Sequence, residues 1–236
     1  MSNNGLLKSS LAKKYLMALT GLFLCLFLVG HLLGNLQLFA AGAEGAEKFN
    51  LYAKFMTTNP LIKVMSYLTY ACILFHVIDG FVLTIQNRKA RPVKYVVEKG
   101  SANSSWSSRN MAVLGTILLV FIVTHMQHFW YVMHFGGIDQ VIIDGESVKD
   151  LHTVVMRFFN PALNSSSLIM VGLYVFAMAA MGYHLQHGFS SAFQSMGLNH
   201  AKYTPLINKL GLAFCILVPL AFASIPVYLY YIQIAH

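Results

Sequence analysis

Five long apolar runs, separated by short polar segments, set the pattern of this chain, at about residues 15–39, 64–86, 111–135, 166–193 and 210–234. The first, Tyr15 to Phe39, carries no formal charge over 25 residues. At a 1.5 Å rise a helix of that length reaches roughly 37 Å, enough to cross a hydrocarbon core of ~30 Å with some tilt. The second run holds a single charge, Asp79, and the third holds none. The pattern predicts an all-α fold, one five-helix transmembrane bundle over residues 1–236. Between the runs, Ala40 to Pro60 is polar, ends in Asn-Pro and predicts a turn preceded by a short interfacial helix. Arg88, Lys89, Arg91 and Lys94 close the second run, and Trp106 is a candidate interfacial anchor before the third. An acidic loop with Asp139, Asp144, Glu146 and Asp150 precedes the fourth. Pro219 and Pro226 in the fifth predict kinks rather than ends, because neighbouring helices can satisfy the freed carbonyls.

Composition excludes a soluble domain: 57% of residues are hydrophobic and 10% charged, with a mean hydropathy of +0.61, against roughly 25% charged in soluble domains. The net charge of +8 does not call for nucleic acid, because the basic residues fall in short loops where they orient the chain in a bilayer. With the N-terminus inside, Lys8, Lys13, Lys14, Arg88, Lys89, Arg91, Lys94, Lys99, Arg109, Lys202 and Lys209 are cytoplasmic, and Lys48, Lys54, Lys63, Lys149 and Arg157 are outside. This bias predicts a multi-pass protein with a cytoplasmic N-terminus and an external C-terminus. The basic start resembles a signal peptide, but the apolar run is too long and no small-residue cleavage site follows it. Cys25, Cys72 and Cys215 all lie in apolar runs and none forms a CxxC pair, so no disulfide framework, zinc site or iron–sulfur site is encoded.

The candidate chemistry lies in the histidines, since each of the first four runs holds at least one and the interior of the fifth holds none. An imidazole at membrane depth is costly without a partner, and it suits iron. His31, flanked by Gly30 and Gly34, lies where a flat ligand such as a haem could approach the helix; the alternative is a hydrogen bond to another helix across close-packed glycines. His31 and His125 lie at similar depth in two outward-running spans, and His76 and His184 lie nearer the cytoplasm in the two inward-running ones. Two stacked haems are the economical reading, although tilt and uncertain span ends leave other pairings open. His128 and His187, each three residues beyond a better-placed histidine, are rivals for the ligand roles or polar groups near a haem edge or quinone. His134, His152, His200 and His236 are expected to be solvated or interfacial. An arrangement with two histidines about 13 residues apart on each of two helices is excluded, because only His187 and His200 have that spacing and His200 lies in a polar turn. The twelve methionines read as core filling.

The segment TGLFLCLFLVGH, ending at His31, with Gly115 ten residues before His125 and Gly188 and Gly197 four and thirteen after His184, resembles the dihaem cytochrome b anchor of succinate:quinone oxidoreductases, the family of succinate dehydrogenases and fumarate reductases. The resemblance covers all five helices. It implies that His31 and His125 ligate a distal haem b, towards the outside, and that His76 and His184 ligate a proximal haem b, towards the cytoplasm. It also implies flavoprotein and iron–sulfur subunits docked on the cytoplasmic face of a bacterial inner membrane, and a quinone substrate, menaquinone being the candidate. The chain departs from some dihaem fumarate reductases at Gly182, two residues before His184, where they have a glutamate tied to proton movement, so the resemblance carries no transmembrane proton transfer to this chain.

The bundle itself has no flavin-binding glycine fingerprint and no cysteine cluster, so dicarboxylate chemistry belongs to the partners and this chain's part is electron transfer and the quinone reaction. Ser108 and Arg109 open the third span as candidate partners of a haem propionate, the alternative being a positive-inside anchor at the cytoplasmic surface. Asn35, Gln37 and His128 are candidate quinone contacts beside the distal haem, each also compatible with a purely interfacial or packing role. The competing function is a helical proton or metal-ion carrier built on the intramembrane histidines and Asp79.

Overall fold

A computed structural model describes residues 9–40, 42–90 and 104–235, the side chain of Ser10 excepted. Lys8, Arg91, Lys94, Lys99 and His236 lie outside the described residues. The fold is mostly helical, with five helices long and apolar enough to cross a membrane. The first, α1 (Ser10–Asn35), starts where the Ser9 hydroxyl accepts from the Ala12 amide at 3.1 Å, and it runs into a 3-10 turn at Leu36–Phe39. The polar segment after it forms the 17-residue helix α2 (Gly42–Thr58), longer than the short interfacial helix expected. Its buried Gly45, Phe49 and Ala53 recur four residues apart on one face, which gives the whole segment a packing partner. The second span, α3 (Pro60–Lys89), begins at Asn59, whose side chain accepts from Leu61 N and Ile62 N while Pro60 occupies the first helical position.

A single turn, α4 (Trp106–Arg109), leads into the third span, α5 (Met111–Phe135), whose residues Met126–Tyr131 are π-helical. The acidic segment is not a plain loop. It folds into an antiparallel hairpin, β1 (Gln140–Ile143) and β2 (Glu146–Lys149), followed by a helix, α6 (Leu151–Phe158). Asp144 and Gly145 both have positive φ, 51° and 79°, the conformation a two-residue type I′ turn requires and one that Asp-Gly supplies at little cost. The fourth and fifth spans are α7 (Ser167–Ser195) and α8 (Thr204–Ala235), and α8 continues as helix through both Pro219 and Pro226.

The four histidine-bearing spans close a ring in which α1 packs on α3, α3 on α5, α5 on α7 and α7 back on α1. The fifth span, α8, lies outside that ring, chiefly against α7 and to a lesser extent α1. Gly182 lets α7 approach the α8 backbone closely. A Cβ there would lie 3.1 Å from the carbonyl oxygen of Cys215, the acceptor that Pro219 leaves without its usual helical amide donor. A glutamate at this position would push its side chain into the α8 backbone. One buried cluster, Cys25, Ala177, Met178, Met181, Leu185 and Cys215, joins α1, α7 and α8 in mid-bundle. A second, which includes Leu38, Phe49, Val155, Tyr174 and Leu229, fastens α2 and α6 over one end of the bundle, called here the capped end.

Candidate functional site

Two histidine pairs face each other inside the ring. The rings of His31 on α1 and His125 on α5 have centroids 5.8 Å apart at an interplanar angle of 87°. Those of His76 on α3 and His184 on α7 are 6.2 Å apart at 63°. The structure therefore brings together the residues that similar depth suggested, and His128 and His187 are in neither pair.

The glycines measure how far apart the pairs lie. A Cβ built on Gly21 would sit 3.2 Å from His76 Cε1, which puts Gly21 level with His76, and His31 follows ten residues further along the same helix. A Cβ on Gly115 would sit 3.7 Å from His184 Cε1, and His125 again follows ten residues later. At a 1.5 Å rise both helices give about 15 Å between the pairs. Each ten-residue glycine-to-histidine spacing thus joins two levels: the glycine packs against one pair and the histidine belongs to the other.

The donor set fits a haem. A ligand–metal bond of roughly 2 Å on each side, with about 1 Å from each ring nitrogen to its ring centre, places the centroids of two axial imidazoles about 6 Å apart, close to both observed separations. Among the described residues no group of three or more His, Cys, Asp or Glu side chains gathers to hold a metal ion. Two imidazoles alone are a poor cage for a bare ion, but they complete iron already held by four porphyrin nitrogens. The bare backbone of Gly21 and Gly115 against His76 and His184 is the close approach such a site needs.

The surroundings of the pairs differ, and the sequence did not reveal them. Thr20, buried on α1, lies 3.1 Å from His76 Nδ1. His184 Nδ1 is buried with no hydrogen-bond partner among the described residues. At the other pair, the buried Tyr174 hydroxyl lies 3.4 Å from His125 Nδ1, and the ring of His31 stacks on Phe27 at 5.3 Å and meets Phe222 at 5.7 Å. Neither Thr20 nor Tyr174 stands out in one dimension, because their partners are 56 and 49 residues away.

The His31–His125 pair lies towards the capped end. His128, carried in the π-helical turn, packs against Phe158 of α6 with centroids 4.5 Å apart, and its Nδ1 is buried without a partner among the described residues. The Asn35 amide donates to the His31 carbonyl of its own helix at 2.8 Å, and Gln37 lies half-buried in the 3-10 turn. The candidate quinone contacts are therefore engaged separately, Asn35 with α1 and His128 with α6. The cap over them is tied by Asn50, only 2% exposed. Its amide donates to Asp150 Oδ1 at 2.9 Å, and its carbonyl oxygen accepts from His152 N at 2.8 Å. Burial works to raise the Asp150 carboxyl, but hydrogen bonds from Thr153 and Asn50 outweigh it and hold the group below its ordinary range. Burial lowers His152 from its ordinary value despite the attraction of Asp150.

At the opposite end, Ser105, Ser107, Gln186, His187, Ser190, Ser191 and Gln194 line a polar pocket of about 220 Å³. Ser105 caps α4 by accepting from Ser108 N, and exposed Arg109 donates to the Ser104 carbonyl. His187 thus belongs to this pocket, one turn beyond the ligand candidate His184. Asp79, three residues after His76 on α3, is also buried, 6% exposed, with Oδ2 unpartnered among the described residues. Compared with models of protein families, with curated proteins and with solved structures, the chain finds no match in any of the three.

Proposed function

We propose that this chain is a dihaem cytochrome b, the membrane anchor of a succinate:quinone oxidoreductase, passing electrons between an iron–sulfur partner and a membrane quinone. The observation that carries the proposal is the facing of two imidazoles at two levels about 15 Å apart, with centroid separations of 5.8 and 6.2 Å, each pair contributed by two different helices. Four of the five spans supply one ligand apiece, and α8 braces the ring from outside. Haem b, when bound, supplies a one-electron carrier at each level. The chain's own part is to hold each iron on two neutral imidazoles, to exclude water with apolar packing, and to fix the spacing of the carriers by helix register.

The excess of basic residues at the uncapped end supports placing that end in the cytoplasm, where flavoprotein and iron–sulfur subunits would dock beside the His76–His184 level. The quinone, with menaquinone the candidate, would react near the capped end, where the buried Nδ1 of His128 offers a polar contact for a carbonyl oxygen in an otherwise aromatic wall. In this reading Ser108 and Arg109 lie at the mouth of the proximal level and can meet a propionate. A bis-imidazole site also suits the facing pairs better than a metal-ion carrier does, because no third His, Cys, Asp or Glu joins either pair among the described residues. The test is a reduced-minus-oxidised spectrum and a haem determination on the full chain purified in detergent. Two b haems per chain, with two larger hydrophilic subunits co-purifying from the native membrane, are expected. A chain without a b-type α band refutes the reading and returns the histidines to the carrier alternative.

A further inference from the structure

We infer that Thr20, on a helix that contributes no ligand to the His76–His184 pair, is the positioning residue that fixes the tautomer of His76 and tunes the iron held there; the inference rests on the dihaem reading. Thr20 Oγ1 lies 2.7 Å from the Leu16 carbonyl oxygen and 3.2 Å from that of Met17, and 3.1 Å from His76 Nδ1. Two oxygens 2.7 Å apart require a proton between them, and the carbonyl has none, so the threonine hydroxyl donates to Leu16. Its single proton is then spent, and towards His76 it can only accept. His76 therefore carries its proton on Nδ1 and leaves the Nε2 lone pair for a metal. The opposite tautomer would set the unprotonated Nδ1 against an oxygen whose proton is already used, or would break the 2.7 Å bond.

Thr20 and Gly21 act together on the same ring. The hydroxyl holds Nδ1 beside the Met17 carbonyl, which also accepts from the ring, and the absent Cβ of Gly21 leaves the space beside Cε1 that any larger residue would enter at 3.2 Å. The partner ring has no such hold, since His184 Nδ1 is buried without a hydrogen bond among the described residues. An iron held at this level would be met by one oriented, more basic imidazole, His76, and one unassisted, His184. A ring that donates from Nδ1 gives more electron density through Nε2 and favours the oxidised metal.

The test is a redox titration of the two α-band components in membranes holding the full chain, for wild type, Thr20→Val and Thr20→Ser. Thr20→Val is expected to raise the midpoint potential of the component lost in His76→Ala, to leave the other component in place, and to be reversed by Thr20→Ser, which restores the hydroxyl. An unchanged potential with the haem retained, or an equal shift of both components, overturns the inference. Should Thr20→Val lose the haem through its shape, the comparison passes to Thr20→Ala and Thr20→Ser. A raised potential or lost haem in Ala but not in Ser supports the hydroxyl's role, and Ala behaving as Ser overturns it. A wild-type chain without b haem would instead sink the dihaem reading, and the wild-type spectrum shows this before any variant is compared.

Discussion

Gly21 lies on the helix that carries His31, yet the structure predicts that enlarging it damages the other pair. A Cβ at this position would approach His76 Cε1 to 3.2 Å, inside the roughly 3.5–4.0 Å at which carbon atoms sit comfortably. Gly21→Ala therefore asks the imidazole to retreat by a few tenths of an ångström, and Gly21→Val, with two further carbons, asks for more. The ring is held at Nδ1 by Thr20 and faces His184 at 6.2 Å, so it cannot retreat without lengthening the hydrogen bond or spoiling the pair. Overpacking of this kind costs about 1–3 kcal/mol, which at about 1.4 kcal/mol per tenfold means that, on the proposed function, a haem at the His76–His184 level would be held roughly 5- to 150-fold less tightly. The assay is total haem by pyridine haemochrome, with the two components resolved by redox difference spectra, on chains matched for membrane content. Gly21→Val is expected to deplete the component that depends on His76 and His184 and to spare the one that depends on His31 and His125. Gly172→Ala, whose Cβ would meet nothing within 4 Å, is the control and should retain both. Depletion of the His31 component by Gly21→Val, with the His76 component intact, would refute the level assignment.

Three further outcomes follow from the same geometry. His31→Ala and His125→Ala are expected to remove one and the same spectral component, and His76→Ala and His184→Ala the other; a component lost in both His31→Ala and His76→Ala, with the other kept, would show that the facing rings do not share ligands. His128→Leu and Gln37→Leu are expected to slow quinone turnover while succinate oxidation with a soluble artificial acceptor stays normal. Unchanged quinone turnover in both variants, with both haems present, removes these side chains from the quinone site. The cap is expected to loosen in acid. His152 is lowered by burial, so the unfolded cap binds the extra proton first and stability falls as pH drops below roughly 6.5; Asp150 is lowered by its hydrogen bonds, and its contribution, full above about 3.9, is lost as pH falls through its folded value. Protection factors, amide exchange corrected for the intrinsic rate at each pH, should fall across residues 42–58 and 140–158 from pH 7 to pH 5, the window of His152; protection factors unchanged over that range would refute the linkage.

The sequence by itself determined the five spans, because a run of apolar side chains long enough to cross a bilayer is a one-dimensional property. His31, His76, His125 and His184 were visible as candidates, since an imidazole at membrane depth stands out against its neighbours, but so were His128 and His187, and only the fold sets the first four face to face in pairs. The hairpin was half legible. Asp144-Gly145 is a turn signal, but reading the four acids of that segment only as loop charge hides the alternation of Ile143 and Val148 into the cap. Beyond the depth pairing of the histidines, what required the tertiary structure was which side chains meet across helices. The ten-residue spacing from Gly21 to His31 is visible in the chain, yet only packing shows that the glycine serves His76, because side chains meet by depth and facing rather than by proximity in sequence. Thr20 reads as an ordinary helix threonine bonding back to Leu16 until His76 is brought to 3.1 Å, and the proton it has already given away then decides the tautomer of a residue 56 positions distant. A sequence records which groups are costly to bury; only the fold decides which neighbour meets that cost.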